Sequence, residues 1–167
     1  MSDFIPRARL YFASDHAGFA LKQALMEYVS TLGTAIDDLG PFELDPNDDY
    51  PDYVTPLAKK VASEEGARGV VIGGDGEGEA MAANRIPGVR AGVFYGGVRA
   101  FAPIDAEATE GKDGFDLIRL MRAHNDANVL SLGARFISGE EAREALHIFL
   151  TTPFSGKERH KRRIAKY

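Results

Sequence analysis

The chain has 167 residues, of which 44% are hydrophobic and 27% charged, with a formal net charge of -5 and no cysteine. That length suits one domain able to bury a core, and the missing cysteines exclude a disulfide framework and thiolate metal sites. No apolar run approaches the roughly 20 residues needed to span a bilayer, and the opening MSDFIPRARLYF lacks a basic-then-apolar signal pattern. The expected setting is therefore the cytoplasm, without membrane association.

In chain order, short apolar runs alternate with helix-period segments. ARLYFAS (Ala8 to Ser14) precedes GFALKQALMEYVSTLG, TAIDDLG (Thr34 to Gly40) precedes YVTPLAKKVASEEG, and GVVIGG (Gly69 to Gly74) precedes EAMAANRI. VRAGVFYG (Val89 to Gly96) then precedes FDLIRLMRAHNDA, and NVLSLGA (Asn128 to Ala134) precedes GEEAREALHIFLTT. Repeated βα units require right-handed crossovers and a parallel sheet. The predicted fold is α/β: a doubly wound, Rossmann-like, five-stranded parallel sheet with helices on both faces. A single domain over 1–167 is expected, ending in a basic helical tail over about 155–167 that contains KERHKRRIAK. Such a tail suits an anion or a solvated helix end. Nucleic acid is the poorer partner, because the rest of the chain is acidic.

In such a fold, ligands bind beyond the carboxyl ends of the strands where strand order reverses, commonly between the first and third strands. That rule selects Asp15 and His16 after the first strand and the Gly73 to Gly78 loop after the third. His124 and Asn125 precede the fifth strand, at the opposite edge, so any catalytic part they play is expected in a neighbouring subunit's site.

The loop GGDGEGE (Gly73 to Glu79) is an unusual anion cradle, since Asp75, Glu77 and Glu79 stand among its glycines. It matches neither GxxxxGK[ST] nor GxGxxG. Its backbone N–H groups can still hold negative charge. A phosphate dianion would be repelled there, whereas an oxyanion that forms only during reaction, beside a carboxylate base, fits. The structural alternative is a tight turn with acids at a helix N-terminus. Asp15 and His16 are read as a binding pair or as a cap with a surface histidine; His124 as catalytic or as a dipole-stabilised helix end; His147 as structural. His160 belongs to the tail. Arg159 and Arg163, four apart, share one helix face and can clamp one phosphate.

Taken together, DHAG (Asp15 to Gly18), DDYPDY (Asp48 to Tyr53), GGDGEGE with AAN behind it, HNDAN (His124 to Asn128), GAR (Gly133 to Arg135) and ERHKRRI (Glu158 to Ile164) resemble the type B ribose-5-phosphate isomerases, the family that includes galactose-6-phosphate isomerase subunits. The resemblance runs over nearly the whole chain. It implies an enzyme interconverting aldose and ketose phosphates through an enediolate without metal or cofactor, with sites between the subunits of a homodimer or dimer of dimers. Where one branch of the family has a cysteine base at the end of the third strand, Gly73 stands here; the other branch uses a glutamate six residues later, and Glu79 stands there. By the same resemblance, the backbone of Gly74, Gly76 and Gly78 holds the enediolate, His124 assists ring opening and Asn125 supports the anion. Asp15 contacts sugar hydroxyls, and His16, Arg135, Arg159 and Arg163 hold the phosphate.

Two features depart from that pattern. Asp75 stands where relatives have serine or threonine, so it either turns away from the oxyanion or alters substrate preference. The connection Gly96 to Asp116 is longer than usual, and is expected to be either a lid over the site or a surface insertion. Ribose 5-phosphate and ribulose 5-phosphate, in pentose phosphate metabolism, are the first expected substrates. The alternatives are another sugar phosphate, a tetrose or a hexose, and a non-catalytic sugar-phosphate-binding regulatory protein.

Overall fold

The computed structural model describes residues 9–167, so the expectations for residues 1–8, including Ala8 as the start of a strand, lie outside the described residues. The strands are β1 (Leu10–Ser14), β2 (Ile36–Asp38), β3 (Arg68–Gly73), β4 (Ala91–Phe94) and β5 (Val129–Gly133). The helices are α1 (Phe19–Ser30), α2 (Pro51–Ser63), α3 (Glu77–Ala83), α4 (Asp116–Asn125), α5 (Gly139–Thr151) and α6 (Glu158–Ile164). Each expected βα pair is present, and α6 forms within the basic tail. All pairings are parallel, in the order β2-β1-β3-β5-β4.

The two periodicities of sequence explain the two faces of the sheet. Side chains alternate along a strand, so Leu10 and Phe12 of β1, with Val70 and Ile72 of β3, pack on Leu25 and Val29 of α1 and Leu146 and Phe149 of α5. Their neighbours Tyr11, Ala13 and Val71 point the other way, onto Val54, Leu57 and Val61 of α2 and Ala83 of α3. Helices therefore cover both faces, which is why the central strands read as continuous apolar runs. Helix ends follow local signals as well. Pro51 opens α2, and Ser138 and Glu141 form a reciprocal capping box at α5.

The helices after β1 and β3 leave on opposite faces, and these two strands are adjacent. A crevice must open between their carboxyl ends. Its walls come unusually close, because a Cβ on Gly18, at the start of α1, would collide with the Ile72 carbonyl. Only glycine allows that approach. Among the described residues, no helix is long and apolar enough to cross a membrane.

Candidate active site

The crevice is a cleft of about 420 Å³ lined by Asp15, His16, Ala17, Tyr50, Gly74, Asp75, Gly78, Glu79, Arg135 and Phe136. Larger grooves exist elsewhere, but this one stands at the switch point and gathers the charged residues expected there. Glu79 is its most buried acid, 3% exposed. A Cβ built on Gly73 would fall inside the Glu79 carboxyl, overlapping Oε1 and Cδ and lying 2.6 Å from Oε2. The carboxyl thus occupies the place that a side chain at the end of β3 would take. Burial pushes the Glu79 pKa up, the Asp15 and Asp75 charges push the same way, and its own backbone N–H partly opposes them. A carboxylate that holds its proton more tightly is the stronger base when ionised.

The glycine turn is shaped around this acid. Gly76 adopts φ +84°, and its carbonyl accepts from the Ser131 hydroxyl at 2.6 Å. A Cβ at Gly78 would lie 2.9 Å from the Tyr50 ring, and one at Gly74 3.3 Å from the Arg135 guanidinium carbon. Asp75 is exposed, and its Oδ1 accepts the backbone N–H of Glu77 at 3.0 Å. Asp75 nevertheless lines the cleft beside Gly74 and Gly78. Its carboxylate turns back to the start of α3.

On the opposite wall, Asp15 Oδ1 accepts the Gly18 N–H at 3.0 Å, which fixes Asp15 beside the crevice. His16 is held by a residue to which the sequence reading assigned no role. Asp48 Oδ1 lies 2.7 Å from His16 Nδ1 and accepts the His16 backbone N–H at 3.1 Å. That hydrogen bond is the main cause raising the His16 pKa. Asp48 and Tyr50 follow β2 and precede α2, so the carboxyl-end rule that selected Asp15 also applies to them. Among the described residues, no group of three or more His, Asp and Glu side chains is placed to hold a metal ion.

The Asp48 contact carries a pH prediction. Asp48→Asn should lower the His16 pKa, so the imidazolium is lost as pH rises at a lower value than in the wild type. Sugar-phosphate affinity measured from about pH 5.5 to about pH 8 should then fall near neutrality and converge with the wild type at the acid end, where both forms carry the proton. A loss independent of pH would mean that Asp48 only shapes the loop.

The remaining expected residues lie elsewhere. His124 and Asn125 end α4 and lead into the amino end of β5, whereas the glycine turn follows the carboxyl end of the neighbouring strand β3. The tail docks at that same edge. The His124 and His160 rings lie against each other, tilted by 37° with centroids 4.2 Å apart, and His160 is buried. Arg159 Nε donates to His160 Nε2 at 3.1 Å, which assigns the His160 proton to Nδ1, 2.7 Å from the Ser155 hydroxyl. Burial first, then the Arg159 charge, lowers the His124 pKa, favouring a neutral imidazole able to accept or donate. Arg159 pairs with Glu107, and Arg163 is exposed. One chain therefore assembles Asp15, His16, Glu79 and Arg135 at one edge of the sheet and His124, Asn125, Arg159 and Arg163 at the other.

The long connection after β4, expected as either a lid or a surface insertion, contributes no residue to the lining of the Glu79 cleft of its own chain. It leaves the carboxyl end of β4 and returns along α4, and its Glu107 contacts Lys157 and Arg159 at the amino edge.

The doubly wound sheet, with a buried carboxylate over a glycine turn and a histidine and an arginine in the same cleft, is that of a sugar-phosphate isomerase. The chain belongs to the ribose/galactose isomerase family, which matches residues 10–103 and 115–167. It is 34% identical over 156 residues to ribose-5-phosphate isomerase B of Mycobacterium tuberculosis (strain CDC 1551 / Oshkosh), covering 93% of this chain and 85% of that one. Among solved structures it is similar to ribose-5-phosphate isomerase B from Mycoplasma genitalium with bound ribulose-5-phosphate (TM-score 0.81, 35% identity, 95% and 92% of the two chains). The type B ribose 5-phosphate isomerase of Trypanosoma cruzi has a TM-score of 0.80 at 35% identity, over 95% and 93%.

Proposed function

We propose that the protein interconverts ribose 5-phosphate and ribulose 5-phosphate through an enediolate, with Glu79 as the base and each site built from two copies of the chain. The observation that carries this reading is the Glu79 carboxyl, buried and seated over Gly73. Glu79 takes the proton from C2 of the aldose and returns it to C1, so one group serves both transfers. The negative charge that develops on the oxygens meets the backbone N–H groups of the Gly74 to Gly78 turn, whose worth grows as charge forms. Asp15 takes a sugar hydroxyl, and His16 and Arg135 take the phosphate. From a second copy, His124 opens the sugar ring, Asn125 supports the anion, and Arg159 and Arg163 complete the phosphate site.

Asp75 supports catalysis over a purely regulatory role. Its carboxylate is engaged at the start of α3 rather than standing in for an oxyanion donor. The whole chain acts as one domain with α6 as its basic tail, working as a homodimer, or a dimer of dimers, in cytoplasmic pentose phosphate metabolism.

The two-copy site is tested by mixing. Glu79→Gln and His124→Ala chains, each impaired alone, should recover activity after subunit exchange. Every hybrid dimer holds one intact site, and random pairing makes the ceiling roughly a quarter of wild-type activity. No recovery after exchange is verified would place Glu79 and His124 in separate roles and overturn the shared site.

A further inference from the structure

Residues 104–114 interrupt the family match, yet they are built as an ordered loop. The two ends of the connection meet, since a Cβ on Gly97 would lie 3.2 Å from the Gly114 Cα and the Val98 N–H donates to the Gly114 carbonyl at 3.3 Å. At the base, Arg119 grips Asp113 with two hydrogen bonds of 2.6 and 2.9 Å. At the tip, Asp105 accepts from the backbone N–H groups of Glu107 and Thr109 and from the Thr109 hydroxyl. Ala108 takes φ +58°. This turn presents the Glu107 carboxylate to α6, where it meets Arg159 at 2.8 Å and Lys157 at 3.1 Å. One carboxylate held by a guanidinium and an ammonium has the charge and donor pattern that an incoming phosphate group would use.

We propose that Glu107 is a tethered competitor for the phosphate, occupying Arg159 in the empty site and yielding it to a substrate that carries a stronger anion. The proposal rests on the reading of Arg159 as a phosphate ligand. Two observations favour competition over a supporting role. Arg159 is already positioned through its Nε bond to the buried His160, so it does not depend on Glu107 for its place. The Glu107 side chain is 48% exposed, and Asp105 holds the turn through backbone groups, so the carboxylate can swing out without unmaking the loop. Exposed ion pairs are individually weak, which makes this a threshold on affinity rather than an off switch. A phosphate dianion displaces the Glu107 carboxylate at a cost in affinity and a neutral sugar gains nothing at Arg159, so the loop sets how tightly the phosphorylated ligand is held.

The test is calorimetric binding of ribose 5-phosphate and of inorganic phosphate to the full chain, to Glu107→Gln, to Arg159→Ala and to the double variant. Glu107→Gln should tighten both ligands by about 2- to 5-fold, leave the weak binding of unphosphorylated ribose alone, and give no gain when Arg159 is already alanine. If Arg159→Ala leaves phosphate binding intact, the reading of Arg159 fails and the proposal fails with it. If Arg159→Ala weakens binding but Glu107→Gln does not strengthen it, competition alone is overturned. A weaker Glu107→Gln protein would assign Glu107 to positioning Arg159.

Discussion

Replacing Glu79 with Gln is expected to slow isomerisation by on the order of 10²–10⁴ with little loss of substrate affinity. The amide keeps the size and burial of the side chain but cannot accept the substrate proton. Exchange of the C2 proton with solvent, followed beside turnover, reads the lost step directly. Near-normal exchange would move the base to Asp75 or Glu77, yet Asp75 is exposed and spends an oxygen on the Glu77 N–H. The same substitution has an opposite effect on the fold. Because burial raises the Glu79 pKa above its ordinary 4.5, the native state binds its proton more tightly than the unfolded chain does. Stability associated with Glu79 is therefore fully present below 4.5 and is lost as pH rises through the raised native value. Gln cannot ionise, so the variant should be more resistant to denaturant than the wild type at neutral pH and lose that advantage in acid. The wild-type rate should run the other way, falling as pH drops through the native Glu79 pKa, since only the ionised form is a base.

A methyl group at Gly73 should do nearly as much damage as removing the base. The Cβ of Gly73→Ala would overlap the Glu79 carboxyl, and one of the two must move. The backbone of β3 is the fixed partner: Gly73 pairs with Gly133 in the sheet, and its carbonyl accepts from the Ala134 N–H at 2.8 Å. The carboxyl lies at the end of a flexible side chain, so it is the part displaced. The variant should fold with its cooperative unfolding preserved, yet lose on the order of 10² or more in rate, because misplacement by about 1 Å is enough for such losses. A Gly73→Ala protein of normal activity would show that Glu79 works from another position. Loss of folding would show that the β3 terminus, rather than the side chain, had yielded.

The sequence by itself determined the elements and their order. Short apolar runs and helix-period segments are local properties of the chain, so five βα pairs and the basic helix were legible before any contact was known. The carboxyl-end rule then located Asp15, His16 and the Gly73 to Gly78 turn, and the family motifs selected Glu79 from three neighbouring acids. Only the tertiary structure decided which charges meet. That β5 lies between β3 and β4 puts Arg135 over Gly74, and no periodicity encodes strand order. Asp48 reaches His16 from a loop 32 positions away, and DDYPDY carries no local sign of that partner. The connection after β4 leaves the strand edge where a lid belongs, but its course follows the ion pairs of Asp113 with Arg119 and of Glu107 with Arg159. The Glu107 pair joins residues 52 positions apart, and it exists only once the crossovers and strand order have brought the loop and α6 together. Local pattern dictates the pieces, while the meeting of side chains at a site is a property of their assembly.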